Sequence, residues 1–276
     1  MIEPLPSALS TAGFVLAAMT VVAGVEAAIP LRVRGPWNTE HVGPNLAITL
    51  ITLASNIFLT LPLVMVLVWL QAKSFGVLPL LALPALPRAA LGVVLLDFAA
   101  YVGHVTMHRV PTLWRFHSVH HSDPAVDVTT ALRQHPGETL VRYGFMAVCA
   151  IGLGVDPSTL AIYRVWSAIN ALLEHANIRL PLGLDRFFAF AIVSPNMHKV
   201  HHSRIEAFTN SNYGNIFSFF DRLFFSFTPA ERGLDMPYGL DGFDHPATQT
   251  TTSLLALPFR GSRASSPAAV VTGQPA

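Results

Sequence analysis

The chain reads as an all-α protein, an integral membrane helical bundle of about four to five membrane-embedded helices with a histidine-rich cap on the cytoplasmic side. Three observations predict this. Of the 276 residues, 52% are hydrophobic and only 12% charged, whereas soluble domains carry about 25% charged residues. The stretches Ala8–Val25 and His41–Ala72 contain no Asp, Glu, Lys or Arg. Ten of the twelve histidines fall between His104 and His202, beyond the longest apolar stretches.

Each element follows from its pattern. Ala8–Val25 and His41–Ala72 approach or exceed the roughly 20 apolar residues that cross a bilayer as a helix. The N-terminus lacks the basic start of a cleavable signal and carries Glu3, so a retained membrane helix is expected there. Phe75–Pro87 holds Pro79, Pro84 and Pro87 and is too short to span, which suits a re-entrant or interfacial turn. Ala89–Met107 forms a further helix, interrupted by Asp97 and ending in His104 and His108. Thr139–Val155 and Ser158–Leu173 flank the turn signal Asp156-Pro157 and predict a helical hairpin dipping into the membrane, each arm carrying one arginine, Arg142 and Arg164. Asp185–Val193 is amphipathic and suits the membrane interface.

Three regions result: N-terminal membrane helices and the re-entrant segment over 1–87, a histidine-rich region over 88–230, and a Thr/Ser/Ala/Pro-rich tail over 247–276 expected to be disordered. Arg32, Arg34, Arg109, Arg115 and Arg133 fall on one side if the first three helices alternate, with Lys73 and Arg88 opposite, so the positive-inside bias places the histidines in the cytoplasm.

A net charge of +1 argues against a nucleic-acid partner, which would want a basic face. The one cysteine, Cys149, provides neither a disulfide framework nor a thiolate zinc site, and its apolar surroundings read as core filling. Lone histidines such as His41 and His245 read as surface or loop residues.

The remaining histidines have a specific arrangement. His104 and His108 are one helical turn apart on one face. The stretch "FHSVHHSD" offers His117, His120 and His121 at i, i+3 and i+4, and "MHKVHHSR" repeats that spacing with His198, His201 and His202. His175 ends the hairpin in "EHANI", and His135 lies in "HPGE". Packing so many imidazoles without a shared partner would strand buried nitrogens at about 1–3 kcal/mol each. Nine or ten histidines exceed the roughly four to six positions around one ion, so two ions are implied. Imidazole suits zinc, copper, iron and nickel, and ligand type alone leaves the metal open. The zinc-protease pattern H-E-x-x-H is absent.

Asp97, Tyr101, His104 and His108 form one helical stripe. A carboxylate inside a membrane helix is costly and marks function, here as the expected acceptor for the outer N–H of a ligand imidazole. Glu138 and Asp221 are further candidates for such support.

"DFAAYVGHVTMHRVPTLWRFHSVHHSDPAVDVTTALRQHPGE", "EHANIRLP" and "SPNMHKVHHSR…SNYGNIFSFFDRLF" together resemble the sterol desaturase / fatty acid hydroxylase superfamily, from about Leu91 to Phe227. Its members are integral-membrane enzymes with a non-haem di-iron centre. The resemblance implies that His104, His108, His117, His120, His121, His175, His198, His201 and His202 bind two Fe ions, and that His135 ligates or supports. Two departures stand out. Val105 follows the first histidine where many members have arginine, and the signature matched by Asp221–Phe224 ends differently.

Such a centre uses O2 to hydroxylate, or by a second hydrogen abstraction desaturate, a C–H bond of a fatty acyl, sterol or isoprenoid lipid. The chain has no flavin or iron–sulfur motif, so electrons must come from a separate donor, a reductase with a ferredoxin or cytochrome b5-like carrier. The competing class is a histidine-rich membrane metal transport or binding protein. A transporter would distribute ligands along several spans near the midplane, whereas these blocks cluster at helix ends and connecting loops.

Overall fold

Apolar length sets the first part of the molecule. The computed structural model describes residues 4–33, 40–232 and 235–260. Helices α1 (Pro4–Ala28), α2 (Val42–Gln71) and α4 (Ala85–Arg109) are joined through the one-turn α3 (Val77–Leu80). The segments Leu9–Ala28, Val42–Gln71 and Ala85–Arg109 are long and apolar enough to cross a membrane, with mean hydropathies of 1.7, 2.2 and 1.6. The expected interfacial segment Phe75–Pro87 is shorter than predicted. Pro87 falls in the first turn of α4, where its missing N–H leaves no helical hydrogen bond unmade.

Proline sets where the next helices begin. Pro111, Pro136, Pro157 and Pro195 are the first residues of α5 (Pro111–His121), α6 (Pro136–Leu153), α7 (Pro157–His175) and α9 (Pro195–His201). Their fixed φ suits that position, and the N–H they lack would be unpaired there anyway. The short α8 (Leu182–Ala189) precedes α9, and α10 (Glu206–Thr209), α11 (Phe219–Leu223) and α12 (Thr251–Ala256) follow. Among the described residues there is no strand, only isolated bridges such as Ile192 with Phe217.

The predicted hairpin is α6–α7. At its outer turn Gly154 adopts φ 64°, and a Cβ there would lie 2.0 Å from the carbonyl oxygen of Phe75, so only glycine allows this approach. The hairpin packs on α4 and α2 around Leu63, Leu67, Leu96, Met146 and Tyr163. On α8 Phe187 is exposed and Ala189 buried, and Phe190, the residue that caps it, is exposed as well.

The tail departs from expectation. Pro246–Phe259 forms helical turns, and Leu254 is buried against Ile48 and Val119. Gln249 is buried as well, its amide donating to the carbonyls of Ser122 and Phe243. Leu254 and Gln249, with the buried Pro258 and the Phe259 ring against Phe116 and His135, anchor a stretch whose average composition is polar and small. Residues 261–276 of the expected tail lie outside the described residues.

Candidate metal centre

Four helix ends converge at one level of the bundle. The last two turns of α4 bring His104 and His108, α5 brings His117, His120 and His121, the last residue of α7 is His175, and α9 with its C-terminal cap brings His198, His201 and His202. All nine are buried, none more than 5% exposed.

They fall into two groups. His104, His108, His117, His121 and His201 form one, and His120, His175, His198 and His202 the other, with one ring nitrogen from each residue lying within 4.8 Å of those of its group. In the first, the Nε2 atoms of His104 and His117 are 3.0 Å apart and those of His121 and His117 3.2 Å. In the second, His175 Nε2 lies 3.1 Å from His120 Nε2, 3.1 Å from His198 Nε2 and 3.2 Å from His202 Nε2. The two H-x-x-H-H copies are therefore each split between the groups: His120 and His202 serve one, His121 and His201 the other.

The opposite edges of several rings are fixed. The Nδ1 atoms of His104, His201 and His175 lie 2.8, 2.7 and 2.7 Å from the carbonyl oxygens of Tyr213, Ser211 and Ala171. His117 Nδ1 is 2.9 Å from Glu138 Oε1. A carbonyl can only accept, so His104, His201 and His175 carry their proton on Nδ1 and turn the Nε2 lone pair inward, and Glu138 in its ionised form holds His117 the same way. Neither nitrogen of His108 has a hydrogen-bond partner among the described residues, nor has Nε2 of His201. Buried polar atoms left so are costly unless a cation engages them. Burial, followed by repulsion between neighbouring rings, also holds His117, His120, His121, His198 and His202 well below the ordinary histidine pKa. Burial brings His175 to about 3 and His201 to about 4. Neutral imidazole is the metal-binding form. The donor set fits two cations, one per group.

The residues expected to support the site are placed differently from one another. Glu138 lies against the outer edge of a candidate ligand ring, that of His117. Asp97 does not reach an imidazole. Its carboxylate accepts from Asn215 Nδ2 at 2.9 Å and from the backbone N–H groups of Ile216 at 3.1 Å and Phe217 at 2.9 Å. Asp221 likewise accepts from the N–H groups of Tyr213 at 2.7 Å and Gly214 at 2.9 Å. Together they pin the segment whose Tyr213 carbonyl holds His104. Tyr101 is equally remote from the rings' nitrogens: its hydroxyl meets Ser226 Oγ at 2.8 Å, which in turn donates to Asp221. His135 joins neither group. Its Nδ1 caps α6 by accepting from Gly137 N, and its Nε2 lies 3.2 Å from the Leu255 carbonyl.

Other residues were not singled out by the sequence reading. Glu174 lies beside His175, its Oε1 3.8 Å from His175 Nδ1 and 3.9 Å from His198 Nε2. Its position directly before His175 was the available signal. Glu26, at the end of the first span, accepts from the N–H groups of Val128 at 2.8 Å and Asn177 at 2.6 Å, tying α1 to the turn after His175. Lys199, fully buried between two ligand positions, donates to the Ala176 carbonyl in the same turn. His41 is not a surface residue. It is fully buried, 3.1 Å from Asp123 and 3.4 Å from Asp127, and Asn45 and Thr130 also bond Asp123. Arg133 completes this network through Asn45, Ser122 and Gln249 and is likewise fully buried rather than a loop charge.

Fold and site together define a helical protein with three spans long and apolar enough to cross a membrane and two adjacent all-histidine groups that could each hold a metal ion. A sequence model of the fatty acid hydroxylase family matches residues 89–226, and the chain belongs to that family. It is 33% identical over 150 residues to an alkylglycerol monooxygenase of Caenorhabditis elegans, covering 52% of this chain and 28% of that protein. It is 30% identical over 156 residues to the ornithine lipid hydroxylase OlsE of Rhizobium tropici, covering 56% and 46%. To a cholesterol 25-hydroxylase-like protein of Danio rerio it is 32% identical over 133 residues, covering 47% and 51%. The aligned stretch thus spans about half or less of these relatives' length. No solved structure matches.

Proposed function

We propose that the chain is a membrane-bound oxygenase that uses O2 and external electrons to hydroxylate a C–H bond of a lipid, with two irons held by the nine histidines. The observation that carries this reading is the division of nine buried neutral imidazoles into two adjacent groups. When bound, the irons supply the activation of dioxygen and the oxidation of the C–H bond. His104, His108, His117, His121 and His201 hold one and His120, His175, His198 and His202 the other. Glu138 fixes the ring of His117, the pinned segment 213–217 fixes His104, and burial keeps bulk water from the reacting atoms. The relatives named as hydroxylases and monooxygenases support the reaction type.

Electrons come from a separate carrier, and the excess of arginine on the histidine side of the spans supports a cytoplasmic centre. Metal transport is disfavoured by placement: the groups are drawn from the ends of α4 and α7 and from the short α5 and α9, not spread along the length of several spans. The test is lipid mass spectrometry of cells with and without the protein. Hydroxylation adds the mass of one oxygen, desaturation removes that of two hydrogens, and an unchanged lipid profile with a competent electron donor present would overturn the proposal.

A further inference from the structure

We propose that Arg142 anchors a carboxylate or phosphate group of the lipid substrate beside the two histidine groups. This rests on reading those groups as the oxidation site. Arg142 stands one turn after Glu138 on the inward face of α6, with Met146 one turn further on. A guanidinium has five N–H donors. Among the described residues Arg142 has an ion pair with Glu138 Oε1 at 3.8 Å and no hydrogen bond, while that oxygen already serves His117. Its side chain keeps 28% of its surface exposed.

That exposure is directed. Arg142 lines a small cavity with Asn215 and Glu174, and the cavity also touches His104 of one group and His120 of the other. It is therefore the place where both groups are reached at once. With its one acid partner already engaged by His117, the guanidinium keeps donors free for an acceptor from outside the chain. Charge agrees. Neutral imidazoles leave the charge of bound cations uncompensated, and Glu138 and Glu174 offset only part of it, so an anion is favoured there. A planar guanidinium fits two oxygens of a carboxylate or phosphate side by side. A lipid held in this way presents the carbons nearest its anionic group to the histidines, not the far end of its chain.

The test measures binding to the purified, metal-loaded protein in phosphatidylcholine nanodiscs, held without oxygen so that nothing turns over. Labelled dodecanoate is compared with labelled 1-dodecanol. Dodecanoate should bind more tightly, and Arg142→Gln should weaken it about tenfold to a hundredfold, the worth of a charged hydrogen-bonded pair, while leaving dodecanol binding and metal content unchanged. Arg142→Lys, which keeps the charge beside Glu138, should hold metal fully and recover only part of the dodecanoate affinity. Unchanged dodecanoate binding in Arg142→Gln would overturn the proposal, because the cations alone would then hold the anion. Loss of metal in both variants would overturn it too, making Arg142 a counterion of Glu138. Competition by inorganic phosphate as strong as by dodecyl phosphate would mean a free-anion site, not a lipid one. Since binding is read without turnover, a failed product search leaves this result standing, and a failed binding result leaves the oxygenase reading standing.

Discussion

Glu138 Oε1 lies 2.9 Å from His117 Nδ1, and both side chains are fully buried. The carboxylate sets which ring nitrogen of His117 carries the proton and thereby aims Nε2 at His104 and His121. Replacing such an orienting carboxylate typically costs ten- to a hundredfold in metal affinity. Glu138→Gln should therefore weaken metal binding by roughly that factor, read by competition against a chelator of known affinity. An unchanged affinity would show that the ring is held by packing alone.

The interleaving of the two H-x-x-H-H copies separates the effects of single ligand changes. His120 belongs to the four-histidine group and His201 to the five-histidine group. His120→Ala and His201→Ala should each lower metal content from two ions toward one per chain and abolish lipid oxidation, while the protein stays in the membrane fraction. Elemental analysis of purified variants checks this. Loss of both ions from either variant would mean that the groups do not fill independently.

Asp97 acts through backbone, at a distance from the metal groups. Asp97→Ala removes the acceptor for Asn215 Nδ2 and for the N–H groups of Ile216 and Phe217, all in or beside a buried loop. Unsatisfied buried donors cost about 1–3 kcal/mol each, so the loss should be about 3 kcal/mol or more. Asp97→Asn keeps one acceptor oxygen and should lose less. Thermal unfolding in detergent ranks the three proteins, and a wild-type melting temperature for Asp97→Ala would refute the role.

These three sites show what sequence could and could not supply. The nine histidines were legible because helical spacing places i, i+3 and i+4 on one face whatever the tertiary fold. The bundle was legible because span length is fixed by the bilayer. The division into five and four was not, because α5 and α9 each contribute to both groups and only their crossing decides which ring goes where. Asp97 was recognisable as important but not for the right partner, since Ile216 and Phe217 lie more than 100 residues away in sequence. His135 resembled a ligand by motif, yet a histidine directly before Pro136 also sits where a helix cap is needed. His41 and Glu26 gave no local signal at all. Each is at the end of an apolar helix, and their partners Asp123, Val128 and Asn177 are brought to them by the cap.

The His41–Asp123 pair makes a prediction about pH. Burial alone would lower the pKa of His41, but the carboxylate of Asp123, and then that of Asp127, outweigh it and raise the ring to about 9. The unfolded chain titrates near the ordinary 6.5. Between these values the folded state holds a proton that the unfolded state has released, so raising the pH costs stability. The contribution of His41 is complete below pH about 6.5 and is lost as the pH rises through about 9. At 1.36 kcal/mol per pKa unit its upper bound is roughly 3 kcal/mol. Thermal unfolding of the purified protein should therefore fall steadily from pH 6.5 to 9, and His41→Gln, which keeps a polar side chain but cannot be charged, should be less stable at pH 6.5 and much flatter across that window. A wild-type slope in His41→Gln would assign the alkaline loss to another group and leave His41 neutral in the fold.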